Sequence, residues 1–176
     1  MKKVFIDCGA NKGQSVDWLR AKYDPYEEFE VHCFEPTPNY QKYFGKKINF
    51  HNTAVWIKDC FVDFYVRSSL GSTLMSEKTS GGPVREVIKT KAIDLSKWIT
   101  DNFDKEDYII LKIDIEGAEF EVVDKLLNDG VIDDYIDIIS VEFHVGKIPQ
   151  YKDVHAKALI ERIKKTNAYL TNWEKF

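Results

Sequence analysis

The stretch VFIDCGANKGQS, Val4 to Ser15, decides how the chain reads. An apolar run closes on Asp7, glycines follow at 9 and 13, and a segment with helical periodicity begins. Strand, glycine turn and helix start within twelve residues is where α/β folds hold cofactors. Free N–H groups at a helix start favour an anionic group, and glycine lets the backbone pass close to a ligand. The spacing is D-x-G-x-x-x-G. The G-x-G-x-x-G of dinucleotide folds is absent, which disfavours a nicotinamide-dependent oxidoreductase.

Outward from this stretch, short β-type runs alternate with helical ones. KVFID (3–7), VHCFE (31–35), INFHNTAVW (48–56), YIILKIDI (108–115) and DIISVEFHV (137–145) are rich in Val, Ile and Phe and short enough for strands. Segment 12–23 carries Val16, Leu19 and Tyr23 on one face, and a weak helix is expected after PTPNY with Thr37 as N-cap and Pro38 in the first turn. Phe120, Val123 and Leu127 mark another helix; Ala156, Leu159, Ile160 and Ile163 mark a fourth. Strand-then-helix repetition implies right-handed crossovers, a mostly parallel central sheet and helices on both faces, an α/β architecture. CFVDFYVR (60–67) and REVIKTKAI (85–93) break the rhythm as half-exposed strands, joined by the Ser-, Gly- and Thr-rich segment 68–83. A connection of that length is a functional lid or a surface loop with no role, and a lid here would close over an acceptor.

Composition narrows the class. The chain has 176 residues, 44% of them hydrophobic, which fits one domain over 1–176. Net charge is −4, with 25 basic and 29 acidic residues mixed along the chain, so a nucleic-acid partner is disfavoured. Cys8, Cys33 and Cys60 form neither a CxxC pair nor an even framework and read as reduced thiols. No apolar run has the length of a membrane span or a signal peptide's core, and a soluble, cytoplasmic protein is expected.

Three further positions carry chemistry. Glu35 closes the second strand, where its two oxygens can accept both hydroxyls of a ribose. With the glycine turn one strand earlier, it points to an adenosine-containing cofactor, and Asn52, Thr53 and Ala54 then fall where the adenine would lie. Asp114 ends a buried run of Ile and Leu, a costly place for an ionised group without a partner or a task. Glu116 and Glu119 follow at a helix start, where the dipole alone favours acids. Glu142 and His144 lie two apart and so on one face of the fifth strand. Together Asp114, Glu142 and His144 form a candidate catalytic acid/base cluster, and Asp114 with Glu142 a candidate site for Mg²⁺ or Mn²⁺.

FIDCGANKG, FEPTP, HNTAVW and LKIDIEGAEFEV, in this order, resemble the FkbM family of S-adenosylmethionine-dependent methyltransferases over essentially the whole chain. The resemblance implies a class I, Rossmann-like methyltransferase fold and O-methyl transfer, commonly onto sugar hydroxyls of glycans or related small metabolites. Its D-x-G-A-N-x-G form implies that Asp7, Gly9, Ala10, Asn11 and Gly13 surround the methionine moiety of the cofactor, with Glu35 on the ribose. The chain departs from the family at its ends. The usual helix before the first strand is missing, and a single run, AYLTNWEKF, stands where a final strand pair is usual. Of a minimal domain and one cut from a longer polypeptide, the second is favoured. An RNA ribose 2′-O-methyltransferase and a binding module that has kept only the cofactor pocket remain as alternatives.

Overall fold

The computed structural model describes residues 1–69 and 71–172. Leu70, inside the expected lid, and residues 173–176 of the last run lie outside the described residues. Six strands form a wholly parallel central sheet: β1 (Lys3–Cys8), β2 (Glu30–Phe34), β3 (Ile48–His51), β7 (Tyr108–Ile113), β8 (Ile138–Val141) and β9 (Tyr169–Thr171). Their order is β3-β2-β1-β7-β8-β9. The chain leaves β1 in one direction to β2 and returns to its other side as β7, which opens a crevice at the carboxyl ends of these three strands.

Alternation along the strands builds two cores. Phe5, Val31 and Ile110 point to the face covered by α1 (Gln14–Lys22), where Val16 and Leu19 meet them. Ile6, Leu111 and Ile113 point to the other face. There α2 (Leu95–Asn102), α3 (Glu119–Asn128), α4 (Val131–Tyr135) and α5 (Asp153–Ile163) contribute Ile99, Leu126, Ile132 and Ile163. Helices therefore cover both faces, as the periodicity required. Among the described residues, no helix is long and apolar enough to cross a membrane.

Three expectations are corrected and one element is added. The run 48–56 is two strands: β3 ends at His51, Thr53 N–H turns back to the His51 carbonyl (2.8 Å), and β4 (Ala54–Trp56) joins another sheet. That sheet has the order β4-β6-β5, with β5 (Cys60–Arg67) antiparallel to β6 (Val84–Asp94). The expected strand 137–145 stops at Val141, so Glu142 and His144 lie in the segment beyond it. In place of a helix capped by Thr37, a single 3₁₀ turn (Tyr40–Tyr43) follows a left-handed Asn39. Prolines at 36 and 38 disfavour helical backbone before them, and Thr37 N–H is engaged by Glu35. Helix α2 was not anticipated; Asp94 ends β6 and caps the helix by accepting Lys97 N–H at 3.1 Å.

Candidate active site

Gly9 turns the chain out of β1 with φ +82°, and its N–H donates to the Phe34 carbonyl at 3.0 Å. A Cβ at Gly9 would sit 1.8 Å from the Asp114 carbonyl oxygen. The glycine is thus required by the passing end of β7, while its open side lines the cleft. Asn11 is also left-handed (φ 48°), and this aims its N–H at Glu35 Oε2, 2.9 Å away. Its side-chain Oδ1 is buried and has no hydrogen-bond donor among the described residues. Gly13, at φ +90°, starts α1.

Glu35 lines the cleft on the side opposite Asp114, with the end of β1 between them. Its Oε2 accepts from Asn11 N–H and its Oε1 from Thr37 N–H (2.8 Å), so both oxygens are fixed by main-chain donors. Burial raises its pKa, and these hydrogen bonds oppose the rise. Around it lies a cleft of about 700 Å³, its open mouth included. Gly9 and Asn11 line one side, Ala54 and Val55 another, and Asp114 to Glu116 the far wall; Ser69, Gly71, Ser72 and Leu74 of the 68–83 segment close over it.

Of the nine residues expected around a cofactor, Gly9, Asn11, Glu35 and Ala54 line this cleft. The other five stand one layer out. Asp7 is buried, with Oδ1 3.0 Å from the Lys112 ammonium on the neighbouring strand. Ala10 N–H donates to the Phe34 carbonyl, and Gly13 caps α1. Asn52 Nδ2 donates to the Glu35 carbonyl at 2.9 Å, and Thr53 makes the turn after β3.

The far wall holds the acid–histidine cluster. Asp114 N–H donates to the Cys8 carbonyl and Glu142 N–H to the Ile113 carbonyl, which brings the ends of β1, β7 and β8 together. His144 is buried among four carboxylates. Its Nδ1 is 2.7 Å from Glu119 Oε1; its Nε2 is 3.1 Å from Glu116 Oε2 and 3.7 Å from both Asp114 Oδ1 and Glu142 Oε1. Burial alone would lower the histidine's pKa, but Glu119, Glu116 and Asp114 carry it above its ordinary value. Carboxylates thus face both ring nitrogens, a setting that favours the imidazolium, which donates from both. Burial pushes Asp114 up to about 6, opposed by Lys112 and reinforced by Glu142.

The structure thus brings Asp114, Glu142 and His144 together and adds residues that the sequence reading missed. Fully buried Glu119 accepts Ile115 N–H (2.9 Å) and Gly117 N–H (2.8 Å) besides binding His144, a wider role than a dipole-favoured acid. Glu116 stands at φ 59°, paired with the Lys78 ammonium. Lys112 lies between Asp7 and Asp114; burial works against its charge, but the two carboxylates hold its pKa above the ordinary value. A lysine in the run YIILKI was the available signal for it. Lys78, in a polar segment, had none.

Among the described residues, Asp114, Glu116 and His144 each offer one ligand atom within 4.8 Å of one another, so these three could hold a divalent ion. Glu142, expected as a ligand, stands at the rim, 44% exposed. An ion there would have to displace the Lys78 ammonium from Glu116 and the proton from His144 Nε2.

The sequence model of one family, described as the methyltransferase FkbM domain, matches residues 7–169. No curated protein and no solved structure matches the chain. The matched span runs from Asp7 in β1 to Tyr169 in β9 and takes in every residue of the cleft and the cluster. With nearly the whole chain covered, the protein belongs to the FkbM family of methyltransferases.

Proposed function

We propose that the protein transfers the methyl group of S-adenosylmethionine to a hydroxyl oxygen, with a sugar hydroxyl of a glycan or a related small metabolite as acceptor. The observation that carries this reading is Glu35. A buried carboxylate fixed on both oxygens by main-chain N–H groups, at the end of β2 beside the Gly9 turn, has lone pairs left for two ribose hydroxyls. The orphaned Oδ1 of Asn11 adds an acceptor suited to the ammonium of the methionine moiety. When bound, the cofactor supplies an electrophilic methyl on a sulfonium.

The chain's own residues then align and deprotonate the acceptor. As the acceptor oxygen bonds to carbon and the carbon–sulfur bond breaks, the hydroxyl proton passes to the Asp114 carboxylate. Asp114 suits this role better than His144, because it faces the cleft and its pKa lies near neutrality, whereas both nitrogens of His144 are engaged by carboxylates. His144 and Lys112 hold positive charge beside Asp114, and the docked 68–83 segment excludes water. The metal-assisted version, with Mg²⁺ or Mn²⁺, is less favoured because of Lys78. EDTA separates the two: the metal-free reading expects no loss of turnover.

The same reading takes residues 1–176 as one domain. The free thiols of Cys8, Cys33 and Cys60 support a reducing, cytoplasmic setting. Thermal shift with S-adenosylhomocysteine, NAD and NADP tests the cofactor, since a ligand at 100 times its Kd adds about 2.7 kcal/mol. A labelled-methyl assay against a panel of glycans and free sugars tests the acceptor. A stabilisation by S-adenosylhomocysteine alone is expected; none with it, or a larger one with NAD, overturns the proposal.

A further inference from the structure

The segment 68–83 is not an open loop. Met75 is buried against Ala118 and Ile148, Tyr65 and Thr73 exchange both main-chain hydrogen bonds, and Thr79 N–H donates to the Lys147 carbonyl. Arg67 donates to the carbonyls of Lys78 and Gly82, which ties the segment to β5. Two of its side chains reach the turn after β7. Thr73 Oγ1 donates to the Glu116 carbonyl at 2.8 Å, and Lys78, with its side chain 1% exposed, donates from Nζ to the Gly71 carbonyl (2.8 Å) and to Glu116 Oε2. A lysine taken out of water in a mostly polar segment is costly unless its charge is needed where it lands.

It lands on an oxygen that is already shared. Glu116 Oε2 is the atom 3.1 Å from His144 Nε2, so one carboxylate oxygen accepts from the lid's ammonium and from the buried imidazole. The backbone beneath is unusual as well. Glu116 is left-handed, and Gly117 follows at φ +116°, where a Cβ would meet the Ile148 side chain at 2.6 Å. A non-glycine residue in that conformation persists only when its surroundings over-determine it. Here those surroundings are Glu119, which accepts the N–H groups on either side, and the two donors from the lid.

We propose that Lys78 is a positioning residue for methyl transfer. Delivered by the docked 68–83 segment, it fixes the Glu116 carboxylate against His144 Nε2, so that closing the cleft and assembling the cluster beside Asp114 are one event. This rests on the reading that Asp114 takes the acceptor's proton. Lys78 itself acts through Glu116 and touches no reacting atom. Without the segment in place, Glu116 loses its second donor and His144 Nε2 loses its fixed acceptor.

The test compares Lys78→Met, which removes the ammonium and keeps the stem, with Thr73→Val, which removes the same segment's side-chain hydrogen bond to the Glu116 carbonyl while its main-chain ties and the ammonium stay in place. Nitrogen-15 spectra of the histidine rings, with His144→Gln for assignment, read the contact without any acceptor. In the native protein His144 shows two protected ring N–H groups. In Lys78→Met the Nε2–H is expected to exchange at least about tenfold faster while Nδ1–H stays protected by Glu119, and in Thr73→Val both stay. Turnover is read beside it: kcat falls at least about tenfold in Lys78→Met, with affinity for S-adenosylhomocysteine within about threefold of native. An unchanged Nε2–H in Lys78→Met, the same change in both variants, or a loss confined to cofactor affinity overturns the proposal and leaves Lys78 a latch. Failure of the native protein to bind S-adenosylhomocysteine would overturn the function beneath it; the ring spectra judge the contact in either case.

Discussion

Glu35 and Asp114 face one cleft from opposite walls, and burial raises the pKa of both, yet they are held in different ways. Each oxygen of Glu35 accepts a main-chain N–H, a fixed dipole that takes no proton. Asp114 is balanced among charges: Lys112 at 3.7 Å, His144 at 3.7 Å and the carboxylate of Glu142. A carboxylate anchored by amides is built to hold hydroxyls without changing charge. One poised between ammonium, imidazolium and carboxylate is built to change it. The contrast supports the proposed division, Glu35 for binding and Asp114 for chemistry.

The largest expected effect falls on chemistry. Asp114→Asn keeps the size and removes the base, and turnover should drop between about 100- and 10,000-fold, the range for a general base. Steady-state kinetics with labelled methyl donor read it, and turnover within threefold of native would dissolve the contrast. Next is the joint between the two walls. Gly9→Ala places a methyl against the Asp114 carbonyl at a positive φ, and urea unfolding should show a loss of roughly 2–5 kcal/mol from left-handed strain plus overpacking. A native-like midpoint would mean that the ends of β1 and β7 part easily.

Smaller effects sharpen the assignment. Glu35→Ala should weaken S-adenosylhomocysteine binding at least about tenfold, because charge-assisted hydrogen bonds from two hydroxyls are lost. Glu35→Gln should lose less. The acid limb of turnover reports Asp114: a base works ionised, and with its pKa near 6 the rate should halve at about pH 6 and fall further below it. Glu142 raises that pKa, so Glu142→Gln should move the limb to lower pH by a fraction of a unit while sparing the plateau. A limb that stays put, or a collapsed plateau, would give Glu142 another task.

Much of this was legible in the residues. Short runs rich in Val, Ile and Phe located β1, β2 and β7, and buried spacing located α1, α3 and α5, because these elements face a core on one side or two. The run 48–56 reads as one strand because apolar residues resume directly after Asn52 and Thr53, where hydrogen bonding to the His51 carbonyl turns the chain. Helix α2 begins on the residue that follows β6, so no turn signal separates them. In the site, Glu35 and Asp114 stood out as acids closing apolar strands. Glu116, Glu119 and Lys78 did not: their charged partners lie 25 or more residues away along the chain, and a charge that pairs across the fold leaves no local pattern.

One titration bears most directly on the central claim, that one cleft separates holding from chemistry. S-adenosylhomocysteine is titrated calorimetrically into the native protein, Glu35→Ala and Asp114→Asn near neutral pH. The account predicts that Asp114→Asn binds within about threefold of native while Glu35→Ala binds at least about tenfold more weakly. Equal losses in the two variants, or no binding to the native protein, would contradict it.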